Sequence, residues 1–333
     1  MPGQPSFLYS IFGRSHLRSK AKGFPMKWAE TPTIEATGLT MNYGQGAVLK
    51  GIDLTLHTGE VLALLGPNGA GKTTTVEILE GFRKRSGGEV RVLGTDPDHG
   101  DEAWKARLGI VLQSWRDHRK WRVRELLAHI GRYYQVYSTT ERPRPYDADE
   151  LLEQVGLEEQ AMRPVAKLSG GQRRRLDVAI GLVGNPEVLF LDEPTVGFDP
   201  EARSDFHALI SRLTEERKTS ILLTTHDLRE AETLSHRIAI LMNGRISAEG
   251  SAQELAARYS GSVAVSYFIR DDEYHQRLAH DEVTDYLYSL LERAGPMISG
   301  LRVEPSSLED TYLCMVREEK SADATAELSS LEV

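Results

Sequence analysis

Residues 61–73 constrain this chain more than any other stretch. Val61-Leu62-Ala63-Leu64-Leu65 is an unbroken apolar run of strand length, the glycine-rich segment after it cannot continue that strand, and Lys72 to Glu80 has the spacing of an amphipathic helix. A buried strand, a loop and a helix in that order make one unit of a sheet covered by helices. Val188-Leu189-Phe190-Leu191 and Ile221-Leu222-Leu223-Thr224-Thr225 repeat the buried-strand signature, each followed by polar residues and a helical pattern. The expectation is an α/β fold with a largely parallel sheet, and 333 residues of which 40% are hydrophobic can fill its core.

The loop itself has chemistry. Gly66, Pro67, Asn68, Gly69, Ala70, Gly71, Lys72 and Thr73 fit G-x-x-x-x-G-K-[ST], between the strand and the helix that this pattern requires. Glycines let backbone N–H groups converge on phosphate oxygens, and the next helix presents its positive end, with Thr74 in its first turn. Lys72 is expected to reach the outer phosphates of a nucleoside triphosphate, and the Thr73 hydroxyl to hold Mg2+. The strand at 188–191 runs into Asp192 and Glu193, and open α/β sheets bind ligands beyond the carboxyl ends of their strands. Asp192 is then placed for Mg2+ and Glu193 for orienting or deprotonating an attacking water; taken alone, the two acids could simply cap a strand.

Leu168-Ser169-Gly170-Gly171-Gln172 precedes a helix that opens with Arg173, Arg174 and Arg175. Ser169 reads locally as an N-cap. A hydroxyl, bare amides and a helix N-terminus also make a second anion site, for which the chain has no evident use beside its own phosphate loop.

The net charge is −9, and Gly261 to Val333, with 15 acidic and 6 basic residues, accounts for all of it. A balanced body with an acidic tail lacks the basic excess of a nucleic-acid binder, so no nucleic-acid partner is expected. The single cysteine, Cys314, makes no intramolecular disulfide and reads as a small buried apolar side chain. No apolar run approaches the ~18–20 residues of a membrane-spanning helix. Residues 1–31, with Arg14, Arg18, Lys20, Lys22 and Lys27 among Gly, Pro and Ser, read as a poorly ordered basic arm, and Met26 is a second candidate start. Helical texture at Val123–Tyr134, Ala148–Val155 and Gly171–Val183 suggests a helical subdomain spanning about 115–183. Asn243-Gly244 between apolar runs signals a hairpin, and Ser251 with Glu254 a capping box.

The ordered series of phosphate loop, Leu168–Gln172, strand with Asp192-Glu193, and a later strand ending in His226 resembles the ATP-binding cassette of ABC transporters over about Ile34 to Gly250. The resemblance implies a P-loop NTPase (RecA-like) core with an antiparallel β-subdomain and an inserted α-helical subdomain, followed by a small C-terminal α+β extension. The corresponding divisions are a cassette at 32–255, an accessory domain at 256–320 and a disordered tail at 321–333. It also implies ATP and Mg2+ as ligands and a head-to-tail dimer, expected to be a homodimer. In that dimer each ATP lies between one phosphate loop and the other subunit's Ser169, Gly170, Gly171 and Gln172. Tyr43 looks like the aromatic that stacks on adenine, and His226 like the switch histidine that reaches the γ-phosphate. Gln113 looks like the glutamine that touches Mg2+ and the attacking water. Asp199 resembles the loop that crosses to the opposite site, with Phe198 where the family commonly has leucine.

The run from Trp115 to Arg124 mixes two tryptophans with several cations, in a region that faces the membrane subunit in this family, and is expected to dock there. Leu176–Val183, Gly197–Pro200 and Glu304–Asp310 look like the ATP-binding subunits of ABC-2-type exporters, the daunorubicin-resistance and multidrug-efflux group. The expectation is an ATPase driving efflux through a separate integral membrane permease, peripheral at the cytoplasmic face of the cell membrane. Alternatives are an importer subunit and a soluble ABC-type ATPase acting on nucleic acid or ribosomes. The second is disfavoured because this chain has one cassette and no basic stripe.

Overall fold

The computed structural model describes residues 32–44, 46–111, 118–195, 197–215, 218–260, 262–270, 272–279, 281–305, 308–313 and 315–316. Two antiparallel strands open it, β1 (Pro32–Asn42) and β2 (Ala47–His57), with Ile34 opposite Leu56, Ala36 opposite Leu54 and Leu39 opposite Ile52. These six residues are buried; those of β2 alternate with period two, and in β1 a bulge between Ala36 and Leu39 shifts the phase so that Leu39 also faces the core. β3 (Val61–Leu65) follows and is buried along its whole length, then α1 (Lys72–Leu79). β4 (Gly87–Val92) pairs with the free side of β1 and completes a three-stranded antiparallel sheet, β2-β1-β4. The sequence carries no clear strand signal there, because only Val90 and Val92 of this glycine-led segment face the core.

A short α2 (Glu102–Lys105) puts Trp104 under this sheet, where its indole Nε1 donates to Val92 O at 2.8 Å. β5 (Leu108–Val111) leads to three helices, α3 (Val123–Tyr134), α4 (Ala148–Gln154) and α5 (Gly170–Leu182). They lie within a residue or two of the helices read from sequence. The chain re-enters the main sheet at β6 (Val188–Asp192), α6 (Pro200–Glu215), β7 (Ser220–Thr225) and α7 (Leu228–Leu234). β8 (Arg237–Met242) and β9 (Arg245–Gly250) finish it as the expected Asn243-Gly244 hairpin, with both turn residues at positive φ, 46° and 76°.

The main sheet has the order β5-β6-β7-β3-β8-β9, parallel throughout except for the β8–β9 hairpin. β3 is central to the packing because its side chains alternate between two cores. Val61, Ala63 and Leu65 join the cluster built with the helical subdomain, α6 and α7; Leu62 and Leu64 join the one closed by α1 and the antiparallel sheet. Register aligns the strand ends: Leu65 pairs with Thr225 and Asp192 with Thr224. The loops that begin at Gly66, Glu193 and His226 therefore leave the same edge of the sheet.

Beyond the hairpin, α8 (Ala252–Ser260) starts with the expected capping box: Ser251 N donates to Glu254 Oε2 at 2.8 Å and Glu254 N to Ser251 Oγ at 3.2 Å. β10 (Ser262–Ile269), β11 (Asp272–Ala279), α9 (Val283–Ala294) and β12 (Ile298–Pro305) form a second small unit, a sheet of order β11-β10-β12 against one helix. Its core is Val265, Tyr267, Leu278 and Leu290. Neither β11 nor β12 is expected from the sequence. Leu308 and Met315, after this unit, pack back into the main core, and Leu308 N donates to the Glu232 carboxylate at 3.2 Å. No helix among the described residues is long and apolar enough to cross a membrane.

Residues 1–31, Gln113, Trp115–Asp117, Cys314 and residues 321–333, about which the sequence supports expectations, lie outside the described residues.

Candidate active site

The loop after β3 closes tightly on its surroundings. A Cβ on Gly66 would lie 2.3 Å from the Leu241 carbonyl oxygen, and Gly71, at φ 110°, occupies the left-handed N-cap of α1. Neither position has room for a side chain. Lys72 is buried at the first position of α1, and its Nζ donates to Gly66 O at 2.8 Å and Pro67 O at 3.1 Å. Burial pulls the amine below its usual pKa range, while the nearby Glu193 and Asp192 carboxylates push it back up. The ammonium is thus fixed over the loop mouth between carbonyls and two acids.

A cavity of about 560 Å3 opens at this mouth, lined by Tyr43, Val48, Asn68, Gly69, Gly71, Lys72, Thr73, Thr74, Asp192 and Glu193. Gly66, Pro67 and Ala70 form the loop behind it. Tyr43 arrives from the β1–β2 hairpin, with its hydroxyl 3.4 Å from Thr74 Oγ1. The Arg83 guanidinium lies over the Tyr43 ring, 5.2 Å from its centroid, and is itself held by Glu77 at 2.6 Å. Asp192 accepts a hydrogen bond from the Thr224 hydroxyl of the neighbouring strand. Glu193 carries a positive φ of 47°, uncommon for a residue with a side chain, and its N–H donates to Thr224 O at 3.0 Å. His226 Nδ1 stands 2.8 Å from Glu193 Oε1, so imidazole and carboxylate form a pair at the cavity rim.

Five expected residues lie elsewhere. Ser169 caps α5, its Oγ accepting from Gln172 N at 3.2 Å while Ser169 N donates to Gln172 Oε1 at 3.1 Å. Ser169 and Gly170 are exposed, and none of Ser169, Gly170, Gly171 and Gln172 lines the cavity. Asp199 is also exposed and off the cavity, its Oδ1 accepting from Ala202 N at 2.8 Å at the start of α6.

Two residues near the site have no role assigned from the sequence. Glu80, buried at the end of α1, has its carboxyl pushed up to about 8 by burial, then by repulsion from Asp192 and Glu77. Arg174, buried in α5, reaches the backbone around Glu193.

This strand–loop–helix geometry has many relatives. The Nod factor export ATP-binding protein I of Ralstonia nicotianae is 40% identical over 239 residues, 72% of this chain and 73% of the relative. Residues 49–196 match the ABC transporter family. The chain belongs to that family, among its ATP-binding subunits. The daunorubicin resistance ATP-binding protein DrrA3 of Streptomyces coeruleorubidus is also 40% identical, over 68% of this chain and 71% of its own. Among solved structures, an ATP-binding subunit of an ABC transporter aligns with a TM-score of 0.60 at 25% identity, covering 68% of this chain and 93% of that one. A dimeric ATP-binding cassette in a post-hydrolysis state, bound to ADP and Pi, aligns with a TM-score of 0.57 at 25% identity over 66% and 98%.

For an ABC cassette the donor set suits Mg2+. Thr73 and Asp192 offer hard oxygens on one cavity, and the described residues contain no cluster of three or more His, Cys, Asp or Glu that would cage a metal. Mg2+ is commonly held through one or two protein oxygens with the remaining positions left to phosphates and water.

Proposed function

We propose that this chain is the ATP-hydrolysing subunit of an exporter, acting through a separate integral membrane permease of the ABC-2 type and as one of a pair of identical cassettes. The observation that carries the reading is one cavity lined by the Lys72 loop, Asp192 and Glu193, with His226 paired to Glu193, while Ser169 and Gly170 are exposed and none of the Ser169–Gln172 lip lines it. A lip unused by its own site is suited to a phosphate bound by a second copy.

The division of labour follows from the chemistry. Backbone N–H groups of residues 66–74 and the Lys72 ammonium bind the phosphates, and Tyr43 offers a ring face to the base. Thr73 and Asp192 hold Mg2+, which when bound neutralises charge on the outer phosphates; Gln113 joins them in this reading. Glu193 takes a proton from water, and His226, 2.8 Å away, keeps that carboxylate aimed. Ser169, Gly170, Gly171 and Gln172 face the γ-phosphate of the neighbouring cassette, and Asp199 lies on the loop that approaches it. Two bound ATP molecules close the pair because each gains donors from both subunits; hydrolysis removes those contacts and opens it. The permease converts this cycle into transport, which places the chain at the cytoplasmic membrane face. Relatives named for Nod factor export and daunorubicin resistance support export as the work done.

Glu193→Gln tests the assignment. Steady-state phosphate release is expected to fall by about 10²-fold or more, while size-exclusion chromatography with Mg-ATP shows a dimer. Wild-type turnover in this variant overturns the role of Glu193, and a persistent monomer overturns the paired cassette.

A further inference from the structure

Glu193 has to present its carboxylate from a backbone conformation that side-chain-bearing residues seldom adopt, with φ at 47° directly after β6. Its own N–H bond to Thr224 O secures one side of the peptide. The other side is secured from α5. Arg174 is 7% exposed, and its guanidinium addresses three successive carbonyls of the turn. Nη2 donates to Asp192 O and to Glu193 O, the latter at 3.1 Å, and Nε donates to Pro194 O at 3.1 Å. Three consecutive carbonyls can converge on one planar fork only where the chain bends around it, and the left-handed Glu193 supplies that bend.

We infer that Arg174 is a positioning residue for hydrolysis: it holds the Asp192–Pro194 turn so that the Glu193 carboxylate stays aimed into the nucleotide cavity. The residue does not line that cavity; it acts through the backbone it grips, and its charge also faces Asp177, Asp192, Glu230 and Glu193. It lies one turn inside α5, whose exposed N-terminus is closed by the Ser169–Gln172 capping box. One helix therefore ends in the lip and also carries the grip on the catalytic turn. The shape of the interaction explains why arginine is needed. Lysine has a charge but a single nitrogen, which cannot meet three carbonyls in the same fan.

The inference rests on Glu193 being the base, so Glu193→Gln is measured beside the Arg174 variants. The experiment takes the full chain with Arg174→Gln and Arg174→Lys, following Mg-ATP turnover, the affinity of a fluorescent ATP analogue, and ATP-dependent dimerisation of each variant combined with Glu193→Gln. Arg174→Gln is expected to lower kcat at least about tenfold, with KM and analogue affinity within about twofold of wild type. Arg174→Lys should fall between the two, and the doubly substituted chains should still dimerise. A structural role alone would instead lower nucleotide affinity, dimerisation and turnover together.

Wild-type kcat in Arg174→Gln, with Glu193→Gln inactive, overturns the inference and leaves the role of Glu193 standing. Wild-type turnover in Glu193→Gln removes both. If Arg174→Gln does not fold, Arg174→Lys decides: wild-type kcat, or a loss matched by weaker nucleotide binding, overturns the inference.

Discussion

Replacing Glu80 by Gln should make the chain more stable, and increasingly so as pH rises. The carboxyl sits at the end of α1, buried and repelled by Asp192 and Glu77, with its pKa moved from 4.5 to about 8. In the folded chain Glu80 holds its proton to near pH 8, whereas in the unfolded chain it releases it near 4.5. Stability is therefore lost as pH climbs between these values, and the loss levels off above 8. Linkage puts the cost at about 1 kcal/mol at pH 5, 3 kcal/mol at pH 7 and 5 kcal/mol at pH 9. Glutamine has no proton to lose, so the gap between variant and wild type should widen by about 4 kcal/mol from pH 5 to pH 9. Urea titrations of nucleotide- and magnesium-free protein at these pH values, read by tryptophan fluorescence, measure that gap. Trp104 is a local reporter, since its ring is packed close to Gly81, next in the chain after Glu80. Titrating groups other than Asp192 and Glu77, which interact with the Glu80 charge, are common to both proteins and cancel. If the two stability–pH profiles ran parallel, the proposed protonation of Glu80 would be refuted.

Two further expectations concern the loop and the surface. Gly66→Ala pushes a methyl group against the Leu241 carbonyl, so it should cost about 1–3 kcal/mol in thermal unfolding and abolish binding of a fluorescent ATP analogue. Binding at wild-type affinity would mean that the loop has slack. Charge reversal at the exposed Arg119 and Lys120 should reduce recovery of the chain with membranes containing its permease, without changing nucleotide affinity. Undiminished recovery would remove this surface from the docking reading.

What the sequence disclosed, and what it hid, divides along physical lines. β3, α1, the helices of the inserted subdomain and the β8–β9 hairpin were legible because each carries its own signal: a continuous apolar run, helical spacing, or an Asn-Gly turn. β11 was not, because Asp272 to Gln276 are all exposed, leaving Leu278 as its buried apolar contact, and β12 is exposed along Ser299 to Val303. Strands at the edges of a small sheet have too little buried surface to impose alternation. At the site, Lys72, Asp192 and Glu193 were readable because strand ends in a parallel sheet bring sequence-distant loops to one edge, whereas His226 took its role from the family resemblance. Tyr43 needed the family resemblance, since a lone aromatic fits a core equally well. Arg174 was hidden within Arg173-Arg174-Arg175, where the letters do not distinguish an arginine that grips carbonyls from one in solvent. The high pKa of Glu80 depends on burial and on Asp192, 112 positions away in the chain, and no local pattern encodes it.

The two-sided packing of β3 has a consequence for how such a chain tolerates change. Because successive residues of this five-residue strand are bolted into opposite halves of the molecule, a disturbance in either half reaches Gly66 through the same short stem. Variation is best absorbed far from that stem, at the rim between α3 and α4 or in the outlying C-terminal sheet. A library that randomised 61–65 would lose catalysis and folding together, whereas one at the exposed Thr140 and Glu141 would reshape the outside and leave the engine running.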